Sequence, residues 1–284
     1  MALGCLAAAF AIAAIVLIVR QNIEDRHSQD TLNQLREDAA LRKEAALTPA
    51  PEETSSPEPD ASSAPVPADT PEPTPVRLDN PYADAFLANN NMVAWLQIPD
   101  TNIDYPVMWT PMNETYYLRR DFDGLHNQNG CLILDTDSCV EPLTTNLIIH
   151  GHNMRSGAMF GHLADYADEE YYEKHKNIIL YTEECQRIYE VIAVFRSQVY
   201  KKSDTVFKFY KFFQADTQDE FEDFYQNIMK LSLYDTGVTA EFGDHFLTLS
   251  TCSYHVEQGR FVVVAKEVEG GDKYLPLPKN ERNQ

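Results

Sequence analysis

The chain of 284 residues is 44% hydrophobic and 24% charged, and its 44 acidic and 23 basic side chains give a formal net charge of −21. This excess of negative charge, with no local cluster of Lys or Arg, excludes nucleic acid as a partner because a phosphate backbone would be repelled. The hydrophobic content excludes a wholly disordered chain. The chain has five cysteines. Because their number is odd and their spacing is not that of zinc ligands, they predict neither a dense disulfide scaffold nor a structural zinc site.

The first segment of the chain, residues 1–20, carries no charged side chain before Arg20 and is almost wholly apolar. About 18 such residues can span the hydrocarbon core of a bilayer, so the segment predicts a single-pass transmembrane anchor. A buried core helix and a cleaved signal peptide are the alternatives, and the lack of a basic stretch before the apolar run disfavours the signal peptide. The basic residues that follow would place the C-terminal part in the cytoplasm, although an uncharged N-terminus gives the positive-inside rule little to compare.

Three polar segments flank the predicted globular part, which covers residues 76–268. Residues 21–47 are rich in helix formers with charges of both signs and predict a solvated helical stalk. Residues 48–75 hold nine prolines and six acids but no basic residue, a composition typical of an extended linker. Residues 269–284 predict a polar tail.

Eight short runs rich in β-branched and aromatic residues predict strands in the globular part. They cover residues 93–98, 103–107, 131–135, 146–150, 177–181, 188–195, 246–251 and 260–266. Two helices are predicted as well: residues 81–94, which overlap the first strand, and residues 217–233, which open with a capping box of Thr217 and Glu220. The pattern predicts a mainly β fold, a closed eight-stranded barrel with an N-terminal helix and a helix inserted before the seventh strand.

Two of the predicted strands end in side chains that could carry chemistry. The strand at 146–150 runs into Gly151, where the backbone turns freely, and then presents the imidazole of His152. The strand at 246–251 ends at the thiol of Cys252, and Arg260 opens the strand that follows. A rigid sheet holds such groups in fixed geometry at its strand ends.

A thiol, an imidazole and a guanidinium together predict acyl transfer through a cysteine. The cysteine attacks a carbonyl as the thiolate, and the histidine passes a proton to the leaving amine because its pKa lies near physiological pH. The arginine stays charged and donates to the developing oxyanion. Each residue alone is more simply explained as a core, turn or surface residue, so the prediction depends on their combination.

The combination resembles the sortases, the cysteine transpeptidases of Gram-positive cell surfaces. The motifs that carry the resemblance are GHN at 151–153, TLSTC at 248–252 and GRFVVVAK at 259–266. Longer segments resemble the class B branch in order and spacing; they cover residues 89–109, 115–124, 129–137 and 150–163. The helix at 217–233 is similar to the one that class B enzymes insert between their sixth and seventh strands.

This resemblance implies a sortase-type barrel for the catalytic domain, residues 76–268, and a role for each of three side chains. Carried over by position, Cys252 corresponds to the nucleophile, His152 to the general acid and base, and Arg260 to the residue that stabilises the oxyanion. His150 and His255 are the alternatives for the base.

No cofactor and no metal ion are expected. Four aspartates could suggest a calcium site, but a solvated barrel rim explains them better; they are Asp121, Asp123, Asp135 and Asp137. Three cysteines of the globular part are expected to be structural or incidental; they are Cys131, Cys139 and Cys185.

The function that the resemblance implies is that of a membrane-anchored cysteine transpeptidase. It would cleave the C-terminal sorting signal of surface proteins through a thioacyl-enzyme and transfer them to an amine of a peptidoglycan precursor or another acceptor. Because these partners lie outside the cell, the catalytic domain is expected to be extracellular on a single-pass anchor in the cell membrane. The alternatives are a hydrolytic cysteine peptidase with the same three residues and a catalytically silent binding module for pilus or surface assembly.

Overall fold

Eight strands close into one barrel in the computed structural model, which describes residues 2–47, 79–253 and 256–277. In chain order they are β1 (Met92–Gln97), β2 (Asp104–Met108), β3 (Leu132–Leu134), β4 (Asn146–Gly151), β5 (Asn177–Thr182), β6 (Cys185–Gln198), β7 (Phe246–Cys252) and β8 (Gly259–Lys273). Around the barrel the order is β1-β2-β3-β4-β7-β8-β6-β5, and β5 pairs with β1 to close it. The predicted mainly β fold and its eight-stranded barrel are confirmed, with one strand at each predicted run.

The described residues also form helices before the first strand and between later strands. They are α1 (Ala2–Leu47), α2 (Ala83–Ala88), α3 (Glu169–Lys174), α4 (Gln218–Leu231) and the 3-10 helices η1 (Tyr116–Arg119), η2 (Leu163–Ala167) and η3 (Phe209–Lys211). The capping box before α4 is confirmed, because the Thr217 hydroxyl accepts from the Glu220 amide while the Glu220 carboxylate accepts from the Thr217 amide.

The helix predicted at 81–94 is too long, because α2 ends at Ala88. The Asn89 side chain accepts a hydrogen bond from the Asn91 amide at 2.9 Å and donates to the Phe122 carbonyl at 2.6 Å. Asparagine side chains that bond nearby backbone groups favour turns over helix interiors, so the chain turns here and enters β1 at Met92.

Alternate side chains of β7 point to opposite faces of the barrel wall. Leu247 and Leu249 belong to the core inside the barrel. Phe246 belongs to a second core outside it, where its ring lies 5.3 Å from the rings of both Phe221 and Phe224 of α4. By the same alternation Cys252 shares the outward face of the barrel with Phe246. The end of β7 therefore presents its thiol on the side that is covered by the segment between β6 and β7, residues 199–245, which contains α4.

Residues 1–20 and 21–47, predicted as separate segments, lie on one helix, since α1 runs from Ala2 to Leu47. The second half of α1 packs against the barrel domain. Leu32 and Ala39 are buried, and Arg42 forms a salt bridge of 2.7 Å with Asp84 of α2.

Within the part of the chain that the structure describes, no helix carries an apolar stretch long enough to cross a bilayer. This finding contradicts the predicted transmembrane anchor at residues 1–20 and, with it, the predicted single-pass localisation with an extracellular catalytic domain. The physical reason is that the apolar run has only the minimum length for a span, about 18 residues where about 20 are typical. In α1 the run of apolar residues ends at Val19. Arg20 follows directly, and its side chain pairs with that of Glu24, one turn further on, at 2.8 Å.

The predicted linker and the predicted tail compare differently with the structure. The linker predicted at 48–75 lies outside the described residues. The tail predicted from residue 269 begins inside β8, which continues to Lys273 because its last part pairs with β6, Glu269 opposite Ile188 and Gly270 opposite Arg187. The bounds predicted for the stalk, the linker, the catalytic domain and the tail stay predictions.

Candidate active site

The ends of β4, β7 and β8 meet at one cleft. β4 and β7 pair in parallel with Gly151 beside Thr251, and β7 pairs with β8 in antiparallel register with Cys252 directly opposite Arg260. The cleft has a volume of about 590 Å³, and His152, Cys252 and Arg260 all line it. The topology therefore brings together the three side chains that the sequence singles out.

Close packing fixes the end of β4 that carries His152. A Cβ atom on Gly151 would collide with the side chains of Phe160 and Leu132, both of which are buried in the barrel core. The next residue presents its imidazole, whose Nε2 lies 2.8 Å from the Leu118 carbonyl oxygen of η1. Because a carbonyl oxygen only accepts hydrogen bonds, Nε2 carries a proton, and Nδ1 is the nitrogen left to exchange a proton with a substrate.

Cys252 is exposed at the end of β7, unlike the other cysteines whose side chains the structure describes. Its carbonyl oxygen accepts a hydrogen bond of 2.8 Å from Nδ2 of Asn153. Asn153 directly follows His152, so this bond ties the strand end with the thiol to the segment with the imidazole. Asn153 was not predicted as a site residue, although its place in the GHN motif at 151–153 was a signal for it.

The other described cysteines are poorer nucleophile candidates. Cys131 lines the same cleft but is buried, and burial raises the pKa of its thiol well above the usual value. Cys185 is buried on β6, and Sγ of Cys139 donates to the Glu141 carbonyl at 3.0 Å. Among the described cysteines, Cys252 is therefore the thiol most accessible to a substrate.

Arg260 is half-buried at the start of β8. Its Nη1 donates to the carbonyl oxygens of Gln258 at 3.3 Å and Gly259 at 3.0 Å. These two bonds hold the guanidinium against the turn before β8, with the side chain on the wall of the cleft. A cation in this place can attract and stabilise an oxyanion next to the thiol.

His150 lines the cleft as well, but a carboxylate holds it. Its Nε2 lies 3.1 Å from Oδ2 of Asp135. Burial raises the pKa of the Asp135 carboxyl, but hydrogen bonds from His150 and from the Asp137 amide offset this effect, and the pKa lies below its usual value. The sequence patterns above do not predict this pair, because its members approach only through the pairing of β3 with β4. His255, the other alternative base, lies outside the described residues.

In the described ranges, no group of three or more His, Cys, Asp or Glu side chains is placed to hold a metal ion. Three of the four aspartates have protein partners instead, among them Asp135, which pairs with His150. Asp121 is buried and accepts a hydrogen bond from the Leu125 amide, whereas Asp123 is exposed and lies 3.1 Å from His27 of α1. The expectation that Asp121 belongs to a solvated rim is therefore wrong.

Comparisons with known proteins are consistent with this geometry. A family model described as "Sortase domain" matches residues 96–268. A Sortase B of Listeria monocytogenes is 33% identical over 182 residues, which cover 63% of this chain and 71% of that relative. The crystal structure of sortase B from B. anthracis in complex with AAEK1 is 30% identical, with a TM-score of 0.57 over 66% of this chain and 84% of that one. A Staphylococcus aureus sortase B–substrate complex, 21% identical, has the same fold, with a TM-score of 0.68 over 87% of this chain and 99% of that one.

Proposed function

Because this chain belongs to the sortase family and is a class B cysteine transpeptidase that anchors surface proteins, we propose that Cys252, His152 and Arg260 perform its reaction. The observation that carries the proposal is the shared cleft, which all three side chains line. Within it, Cys252 of β7 lies directly opposite Arg260 of β8. The substrate is the C-terminal sorting signal of a surface protein.

The first half of the reaction forms a thioacyl-enzyme. The thiol proton of Cys252 passes to Nδ1 of His152, and Sγ attacks the carbonyl carbon of a threonine in the sorting signal as the thiolate. Arg260 stabilises the negative charge that develops on the oxygen. When the tetrahedral intermediate collapses, the C–N bond breaks and the C-terminal fragment leaves as an amine. His152 gives that nitrogen a proton from Nδ1, since Nε2 remains bonded to the Leu118 carbonyl.

The second half transfers the acyl group to an amine of the cell wall. The amine nitrogen of a peptidoglycan precursor attacks the thioester carbon, His152 accepts the proton that this nitrogen loses, and Cys252 leaves as the thiolate. A new amide bond replaces the thioester, so no water is consumed. If water attacked instead, the same residues would catalyse hydrolysis, which is the reaction of a cysteine peptidase.

A competition between amine and water tests this function. The purified full chain is incubated with a library of sorting-type peptides, with and without triglycine as the amine, and the products are identified by mass spectrometry. We expect a thioacyl adduct on Cys252 and an amide product that depends on the amine. The matched variant Cys139→Ala should retain the activity that Cys252→Ala abolishes. A carboxylic acid as the only product would contradict amide transfer, and unchanged turnover in Cys252→Ala would contradict the nucleophile.

A further inference from the structure

The Leu118 carbonyl that holds the imidazole belongs to η1, and the loop after η1 fixes its position. The amide of Asn127 donates to the Arg119 carbonyl at 3.1 Å, next to Leu118 in the chain. The amide of Cys131 donates to the Tyr117 carbonyl at 3.0 Å, on the other side of Leu118. The loop thus returns over η1 and holds the carbonyl groups on both sides of the one that contacts His152.

Asn127 joins this loop to the N-terminal helix. Its side chain is fully buried, and Oδ1 accepts a hydrogen bond from the Asn129 amide at 2.8 Å. Nδ2 lies 3.3 Å from the carbonyl oxygen of Glu24 and 3.3 Å from Oδ1 of Asp25, both in α1. Because a buried amide without partners is unfavourable, the loop conformation that buries Asn127 is most stable when α1 is in contact with it.

Two exposed pairs of hydrogen-bonded side chains add to the contact between α1 and the loop. Oδ2 of Asp123 lies 3.1 Å from Nε2 of His27 and 3.0 Å from the Thr31 hydroxyl. Nδ1 of His126 lies 3.1 Å from Oε2 of Glu24. These contacts fall on residues 123–127, between η1 and β3, so one stretch of α1 contacts the loop that positions the imidazole.

On the basis of the role given to His152 above, we propose that α1 is a positioning element for this histidine. α1 contacts residues 123–127, Asn127 connects that contact to η1, and η1 holds Nε2 of His152 through the Leu118 carbonyl. A change in α1, remote from the cleft, therefore alters proton transfer by His152 more than it alters binding of the sorting peptide.

The test uses the full chain with Asp123→Ala and Glu24→Ala combined, which removes both pairs from the loop. Arg42→Ala is the matched control, because it breaks a contact of α1 with α2 and leaves the loop alone. The tautomer of His152 is read from its ring nitrogens by 15N NMR at alkaline pH, where the imidazole is neutral. Wild type and Arg42→Ala should show the Nε2–H tautomer, and the double variant a mixture of both tautomers.

Kinetics provide the second readout. In the double variant kcat should fall about tenfold with a smaller change in KM, since a small displacement of a catalytic group lowers the rate strongly. Asp123→Asn in the Glu24 wild-type background keeps an acceptor oxygen and should behave as wild type. If the double variant does not fold, the exposed substitution Asp123→Ala alone replaces it, with a smaller shift in the same direction.

Two outcomes would overturn the proposal: an unchanged His152 tautomer in the folded loop variants, or an equal change in Arg42→Ala. Failure of the proposed function gives a different result, because His152→Ala would then remain active whatever the tautomer data show.

Discussion

The side chain of Arg260 can stabilise an oxyanion through its geometry as well as its charge. A guanidinium presents N–H donors in a rigid plane, whereas an ammonium is a mobile point charge. The carbonyls of Gln258 and Gly259 hold Nη1 before any substrate is present. Donors that are oriented in advance stabilise a transition state more than donors that must first be ordered.

Arg260→Lys should therefore lower kcat about 10²–10³-fold, the loss typical for a missing oxyanion donor, with little change in KM. Steady-state transpeptidation of a sorting peptide measures both constants. Arg196→Lys, an exposed position on the neighbouring strand β6, is the matched control and should keep the wild-type kcat. A kcat for Arg260→Lys within twofold of wild type would exclude the proposed role.

The Asp135 carboxylate makes a pH-dependent contribution to stability. Its pKa in the folded protein lies below the usual value of 3.8, so folding favours the ionised form. This contribution is fully present above pH 3.8 and is lost as the pH falls through the lower folded pKa. Asp135→Asn should lower the free energy of unfolding by about 1 kcal/mol near neutral pH, the size of one partly exposed charged hydrogen bond.

Urea unfolding at several pH values checks this prediction. The difference between wild type and Asp135→Asn should shrink as the pH falls below about 4, because protonation removes the favoured carboxylate from the wild type as well. Asp137→Asn is the control on the same turn. A difference that stays constant down to pH 2 would show that lost packing, rather than charge, causes the destabilisation.

At the scale of elements, α4 supports the strands that carry the site. Phe221, Phe224 and Ile228 of α4 are buried in the outer core together with Phe246 of β7 and Val262 of β8. Burying a large apolar side chain contributes about 1.5–3 kcal/mol, so the helix stabilises the strands on both sides of the Cys252–Arg260 register.

Loss of the α4 cap should destabilise the protein without affecting the chemistry. Thr217→Ala removes the hydroxyl that accepts from the Glu220 amide and should lower the free energy of unfolding by about 1 kcal/mol. Thr217→Ser keeps the hydroxyl and should retain most of the stability, and KM should be unchanged in both variants. Chemical denaturation compares the three proteins; an equal loss in the serine variant would assign the effect to the methyl group.

For the whole molecule, the barrel order explains why distant residues share one cleft. β4 lies between β3 and β7, and its pairing with β7 is parallel. The chain must therefore leave the end of β4, form β5 and β6 and the insertion with α4, and return before β7 begins. This long connection adds Val199, Tyr210 and Lys211 to the wall of the cleft.

The sequence alone determined the features that depend on neighbouring residues. The eight strands follow from β-branched and aromatic runs, and α4 follows from its capping box and helical spacing, because a strand's or helix's own side chains carry that signal. The candidate reactive side chains could also be singled out, since Cys252 and His152 lie in short motifs at strand ends. The apolar start of the chain, by contrast, predicted a membrane anchor that the described helix does not bear out.

Only the tertiary structure decided which of these pieces meet. The register of Cys252 with Arg260, the bond from His152 to Leu118, the pair of His150 with Asp135 and the contact of α1 with Asn127 each join segments that the local pattern cannot relate. Such contacts depend on how the whole barrel closes, because strand pairing and packing between distant segments balance many weak interactions at once.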